Sequence, residues 1–244
     1  MQNLGRMHPR RRDHIQAYLN PGPLCREQRE RFNVWLAYLV LENTYGEDPE
    51  QAAAQLLQRA LQHNDAKKMY LAAVDVFEKT NRLVLLETCL KGLRRKFGTS
   101  CKVWLRIYRL ELSKGGNTAA VLDRAVAALP TRKHVKLLSR VALTEFREAS
   151  PERARAIFEN VLQTYPKRTD LWGVYIDQEI RAGDAASIRN LFERAIHLNL
   201  AWKKMKFFFK RYVAYETEHG TPERVEYVKQ RAMDFIGGGE AVQQ

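Results

Sequence analysis

Apolar positions in this chain do not alternate. They fall in stripes of helical period, and the stripes themselves recur. The first reads Trp35-x-x-Tyr38-x-x-x-Glu42, an aromatic residue, a second one three on and an acid seven on. It returns as Trp104/Ile107/Glu111, Leu138/Val141/Glu145, Trp172/Tyr175/Glu179 and Phe209/Tyr212/Glu216. A degenerate copy stands at Tyr70/Ala73/Phe77, its acid displaced to Glu78. The lead positions are 35, 34, 34, 34 and 37 residues apart. Positions i, i+3 and i+7 share one face of an α-helix, and a period of this length is that of stacked helix pairs. The spacing predicts an all-α, right-handed solenoid of about six helix pairs, with no strand alternation anywhere from Phe32 on.

A second helix follows each signature, predicted over Gln51 to His63, Leu83 to Phe97, Thr118 to Leu129, Pro151 to Tyr165, Asp184 to Leu198 and Pro222 to Ile236. Bulky Phe158 and Phe192 take equivalent places, and Ala60, Ala125, Ala156 and Ala195 are expected where helices approach closely. The punctuation agrees. Ser150-Pro151 and Thr221-Pro222 offer an N-cap followed by a proline whose missing N–H costs nothing in the first turn. Gly115-Gly116 and Gly183 close turns, Pro130 and Pro166 stop second helices, and Gly237-Gly238-Gly239 is expected to end the last one. One pair cannot bury its stripe alone, whereas stacked pairs share a continuous core. Residues 1–25 are predicted to be a basic, largely disordered segment, 26–236 the solenoid and 237–244 a flexible tail.

Composition narrows the function. No apolar run is long enough to span a membrane, and the basic N-terminus lacks the apolar core of a secretory signal. Three widely spaced cysteines, Cys25, Cys89 and Cys101, read as free thiols of a reducing compartment. The six histidines form no ligand cluster, and Lys114-Gly115-Gly116-Asn117-Thr118 lacks both P-loop spacing and a preceding strand. No nucleophile stands with a base and an acid at recognisable spacing. The expectation is a non-catalytic protein without metal, cofactor or small-molecule substrate. Net charge is +13, beyond what solubility requires, and biases the chain toward nucleic acid or an acidic protein surface.

That charge is clustered. Between Glu87 and Glu111 stand seven cations and no acid, among them Arg94, Arg95 and Lys96. Between Asp123 and Glu145 stand five, including Arg132, Lys133 and Lys136. Lys203, Lys204, Lys206, Lys210 and Arg211 interleave with Phe207, Phe208 and Phe209. These clusters are the candidate contacts for RNA backbone or an acidic partner. The signature residues Trp35, Tyr38, Tyr70, Trp104, Trp172, Tyr175, Phe209 and Tyr212 are expected in the core rather than as base-stacking platforms. Glu42, Glu111, Glu145, Glu179 and Glu216 are expected to pair with a basic group or backbone donor nearby.

The signature helix followed by Ala154-Arg155-Ala156-Ile157-Phe158-Glu159 resembles the half-a-tetratricopeptide (HAT) repeat of RNA-processing proteins. Longer strings, FNVWLAYLVLENTYG (32–46), YPKRTDLWGVYIDQEIRAGD (165–184) and KKMKFFFKRYVAYETEHGT (203–221), are similar to the C-terminal HAT module of a family of ribosome-biogenesis factors. The larger N-terminal part of that family is an array of S1 RNA-binding domains. This sequence carries no β pattern and hence no S1 barrel, so the RNA binding attributed to S1 arrays is not expected to carry over whole. The resemblance implies a nucleolar scaffold in pre-ribosomal RNA processing, partnered by proteins of a pre-ribosomal particle. The alternatives are a HAT factor of mRNA 3′-end processing or splicing, and a tetratricopeptide-like adaptor for peptide tails.

Overall fold

The computed structural model describes residues 28–240, with side chains from 30 to 237. The predicted N-terminal segment 1–25, Cys25 and residues 241–244 lie outside the described residues. Twelve α-helices and one 3-10 turn (Thr131–Lys133) make up the described chain, which divides into two compact units, one ending at Lys133 and the other beginning at His134.

The first unit holds α1 (Gln28–Tyr45), α2 (Pro49–His63), α3 (Ala66–Lys79), α4 (Leu83–Phe97), α5 (Cys101–Ser113) and α6 (Thr118–Ala128). The second holds α7 (His134–Glu148), α8 (Pro151–Thr164), α9 (Thr169–Ala182), α10 (Ala185–Ile196), α11 (Trp202–His219) and α12 (Pro222–Glu240). Each helix packs against its successor within a pair, and each second helix packs against the first helix of the next pair in its unit. Each unit is thus three helix pairs stacked in order.

Short polar residues start several of these helices. Asp48, Asp65, Asn117, Ser150 and Asp184 each accept a backbone N–H of the first turn, satisfying a donor that has no partner inside the helix. At the other end, Gly183 sits at φ +83°, a left-handed cap that side chains with a Cβ adopt poorly.

Three expectations need correction. The second helix of the first pair begins at Pro49, two residues early, because Asp48 caps it and Pro49 fits its first turn. Ala156 is exposed and Ala154 is buried. On α8 the core face runs through Ala154, Phe158 and Val161, at i, i+4 and i+7, which turns Ala156 outward. The last helix does not end before the three glycines but continues through them to Glu240. Glycine weakens a helix by about 1 kcal/mol per residue relative to alanine, but unlike proline it neither clashes nor removes a hydrogen bond.

Candidate macromolecular interface

The signature aromatics Trp35, Tyr38, Tyr70, Trp104, Trp172, Tyr175, Phe209 and Tyr212 are all buried. Two of the indoles also hold a loop. Trp104 Nε1 donates to the Gly98 carbonyl at 2.6 Å and Trp172 Nε1 to that of Pro166 at 2.9 Å, each six residues upstream. Trp35 stacks on His63 at 5.5 Å with the Arg59 guanidinium 5.8 Å from its ring, and its Nε1 is buried without a hydrogen-bond partner. In its pair the chain six residues upstream is already helix, so no loop carbonyl is offered there.

The signature acids lie at the turn between the two helices of a pair. Glu111 accepts the Asn117 N–H at 3.1 Å. Glu42, Glu179 and Glu216 are buried, and so is Glu145, which lies 3.2 Å from Arg153. A glycine four or five residues on makes room: a Cβ at Gly116 or Gly220 would overlap the carboxylate of Glu111 or Glu216. That glycine was a missed signal, since Gly46, Gly116, Gly183 and Gly220 each follow a signature acid.

In the second unit, a ring stack and an arginine–glutamate pair recur at both seams between pairs. At the seam of α8 with α9, Phe158 stacks on Tyr175 with centroids 4.9 Å apart and planes 7° apart. Arg155 grips Glu179 through both carboxylate oxygens at 2.8 and 3.0 Å. Burial foremost, and then the nearby Glu159 charge, push the Tyr175 phenol above its ordinary pKa. At the seam of α10 with α11, Phe192 stacks on Tyr212, Arg189 holds Glu216 at 2.8 and 3.1 Å, and Tyr212 Oη donates to Glu193 at 2.9 Å. The receiving set on each second helix is therefore an arginine, a phenylalanine three on and a glutamate four on. On α12 the corresponding positions, counted from the signature acid, are Glu226, Lys229 and Gln230.

A further contact between first helices appears once in each unit. Arg106 of α5 reaches Asp75 at 2.7 Å and also Glu78 of α3, and Arg211 of α11 reaches Asp177 of α9. Both arginines stand two residues past their lead position and both aspartates five past theirs.

The candidate cations divide accordingly. Arg211 is held by Asp177 and by the Gly173 carbonyl at 3.1 Å, Arg94 by Glu87 at 3.0 Å, and Lys133 donates to the Thr99 carbonyl at 2.6 Å. Lys96 lies 5.7 Å from the centre of the Tyr70 ring. Arg95 and Arg132 in the first unit, and Lys136, Lys203, Lys204, Lys206 and Lys210 in the second, are exposed. A cavity of about 800 Å³ also opens where α1, α2 and α3 meet, lined by Arg31, His63, Asn64, Asp65 and Lys68 among others. Among the described residues there is no cluster of three potential metal ligands and no helix long and apolar enough to cross a membrane.

Comparison with known proteins follows the same lines. The family profile of the PRP39 N-terminal HAT repeat matches residues 135–236. The chain is 48% identical over 211 residues to the rRNA biogenesis protein RRP5 of Arabidopsis thaliana, covering 86% of the chain and 11% of that protein. It is 41% identical over 213 residues to a Mus musculus RRP5 homolog, again 86% of the chain and 11% of that protein. A more distant relative is the pre-mRNA-splicing factor clf-1 of Neurospora crassa, 24% identical over 226 residues, 86% of the chain and 32% of that protein. The chain thus spans about 11% of the length of the RRP5 relatives it matches. The repeated helix pairs belong to the HAT-repeat family, and they are of the kind carried by RRP5.

Proposed function

We propose that the chain is a non-catalytic scaffold of ribosomal RNA processing and ribosomal subunit assembly, working in the nucleolus within a pre-ribosomal particle. The observation that carries this reading is the 48% identity with the Arabidopsis rRNA biogenesis protein across 86% of the chain. Each unit buries its signature aromatics, and most of the signature acids with them, which leaves surface cations and grooves as groups free to act on something else. Protein segments dock in grooves such as the one at α1, α2 and α3. The exposed cations Arg95, Lys96, Arg132, Lys136, Lys203, Lys204, Lys206 and Lys210 meet RNA phosphates, with Arg94, Lys133 and Arg211 holding the surfaces from which they project.

The test is gradient sedimentation of the tagged protein from nuclear extract. Co-migration with pre-ribosomal particles is the expected result, and migration with spliceosomal particles instead would favour the reading suggested by the clf-1 relative. Migration with neither would leave a peptide-tail adaptor unrelated to RNA. Within the RNA half, affinity should fall with rising salt, and affinity insensitive to salt would reject it.

A further inference from the structure

The N-terminal half of α11 presents two kinds of surface at once. Met205, Phe208, Phe209 and Tyr212 enter the core, while Lys203, Lys204, Lys206, Phe207 and Lys210 point outward. Lys203, Lys206 and Lys210 share one face, with about 5–6 Å between side chains three or four residues apart. None of the four lysines meets a carboxylate among the described residues. The acids of the neighbouring α9 are already engaged, Asp170 by Arg168 at 2.7 Å and Asp177 by Arg211.

Phe207 stands in the middle of these lysines with 42% of its surface exposed. Its other sides are fixed. Phe208 meets it edge-on at 5.3 Å, and the Arg211 guanidinium, tethered by Asp177 and the Gly173 carbonyl, lies 5.5 Å from its ring centre. Its edge covers Gly173 so closely that a Cβ there would stand 3.2 Å from the ring. Filling that notch accounts for the buried part of the ring and leaves its open part unexplained. A ring held in place, partly exposed and ringed by unpaired cations has the composition of a single-strand platform, where stacking and backbone charge act together.

We propose that this stretch of α11 binds single-stranded RNA, one base stacking on the open part of Phe207 and neighbouring phosphates meeting Lys203, Lys206 and Lys210. This deepens the RNA half of the proposed function and rests on it. Duplex RNA would engage the lysines alone, because its bases are not free to stack on a side chain. An acidic protein segment would likewise use the charge and not the ring.

The experiment is fluorescence anisotropy of the full chain with a labelled oligouridine of about 12 nucleotides and with an RNA duplex of similar length, each across a salt series. Phe207→Leu keeps an apolar group over Gly173. It should weaken oligouridine binding at least about fivefold, leave its salt slope unchanged and leave duplex binding unchanged. The triple variant K203Q/K206Q/K210Q, altered only at exposed positions, should flatten the single-strand salt slope by about two. Wild-type oligouridine affinity in Phe207→Leu would overturn the proposal, and a normal affinity and slope in the triple variant would overturn it too. Lost affinity in the triple variant with a neutral Phe207→Leu would assign the patch to a polyanion without stacking and reject the single-strand site. If Phe207→Leu still co-sediments with pre-ribosomal particles while wild type fails to bind oligouridine, only the α11 site falls and the scaffold reading stands.

Discussion

Phe192 of α10 lies flat on Tyr212 of α11, ring centroids 4.6 Å apart and planes within 4° of parallel. The same tyrosine donates its hydroxyl to Glu193, one residue past the phenylalanine. One aromatic thus closes the seam both by area and by a directed bond. Phe192→Ala should cost about 3–5 kcal/mol, the range for emptying a buried aromatic site. Tyr212→Phe, which removes only the hydrogen bond to the carboxylate, should cost less, about 1.5–3 kcal/mol. Urea unfolding of the two variants checks the ordering, and equal losses would show that the hydroxyl and not the ring governs the seam.

Arg155 and Glu179 make the companion contact one seam earlier. Glu179 is almost fully buried while Arg155 is partly exposed, so removing the arginine strands a carboxylate with nowhere to hydrate. Arg155→Met should destabilise the protein by about 2–3 kcal/mol, toward the low end for a broken buried pair because solvent reaches the arginine side. Adding Glu179→Gln should recover part of that loss. A double-mutant cycle measures the coupling, and strict additivity would mean the two groups do not act together.

Glu159 gives a signature in acid. Arg194 holds its carboxylate at 2.6 and 2.8 Å and draws its pKa below the ordinary glutamate value. A group depressed in the folded state contributes fully above its unfolded pKa of about 4.3 and loses that contribution as pH falls through the folded value. Glu159→Gln should therefore be less stable than wild type at pH 7, and the gap should narrow as the medium is acidified below pH 4. Urea midpoints over that range test it, and a gap that widens in acid would contradict the assignment.

Cys89 reports on opening of the first unit. Burial pushes its thiol up to about 12, so the thiolate that reacts with alkylating agents is nearly absent at pH 8 in the folded protein. The raised pKa favours the neutral thiol. Its contribution is complete below the ordinary thiol pKa of about 8.5 and is lost as pH rises toward the folded value. In a Cys25→Ser background, iodoacetamide should modify the half-buried Cys101 first and Cys89 only at the rate of unfolding. Rapid labelling of Cys89 under native conditions would show that α4 opens on its own.

The helix pairs and their aromatic stripe were legible because burial imposes a period, and a period survives in one sequence. Trp104, Trp172 and Tyr212 could be assigned to the core from spacing alone. The seams were less legible. Arg155 and Glu179 are 24 residues apart and Arg189 and Glu216 are 27 apart, separations with no local signature. Their recurrence emerges only once α8 is aligned with α10. The inward position of Ala154 rather than Ala156 is not legible either, since a run of small residues does not reveal which of them faces the core. The cations mislead in the opposite sense. Arg94 and Arg211 look free in an acid-free stretch, yet their partners Glu87 and Asp177 lie two turns or a whole repeat away.

The substitution at α12 of Glu226, Lys229 and Gln230 for arginine, phenylalanine and glutamate gives the architecture a direction of growth. A duplicated α9–α10 unit spliced in ahead of α11 would find its match on both sides, arginine to acid and ring to ring. The identical insert grafted behind α12 would bring its Glu179 against Glu226 and its tyrosine against a lysine. A duplicate of this particular unit is thus matched in the interior and mismatched behind α12.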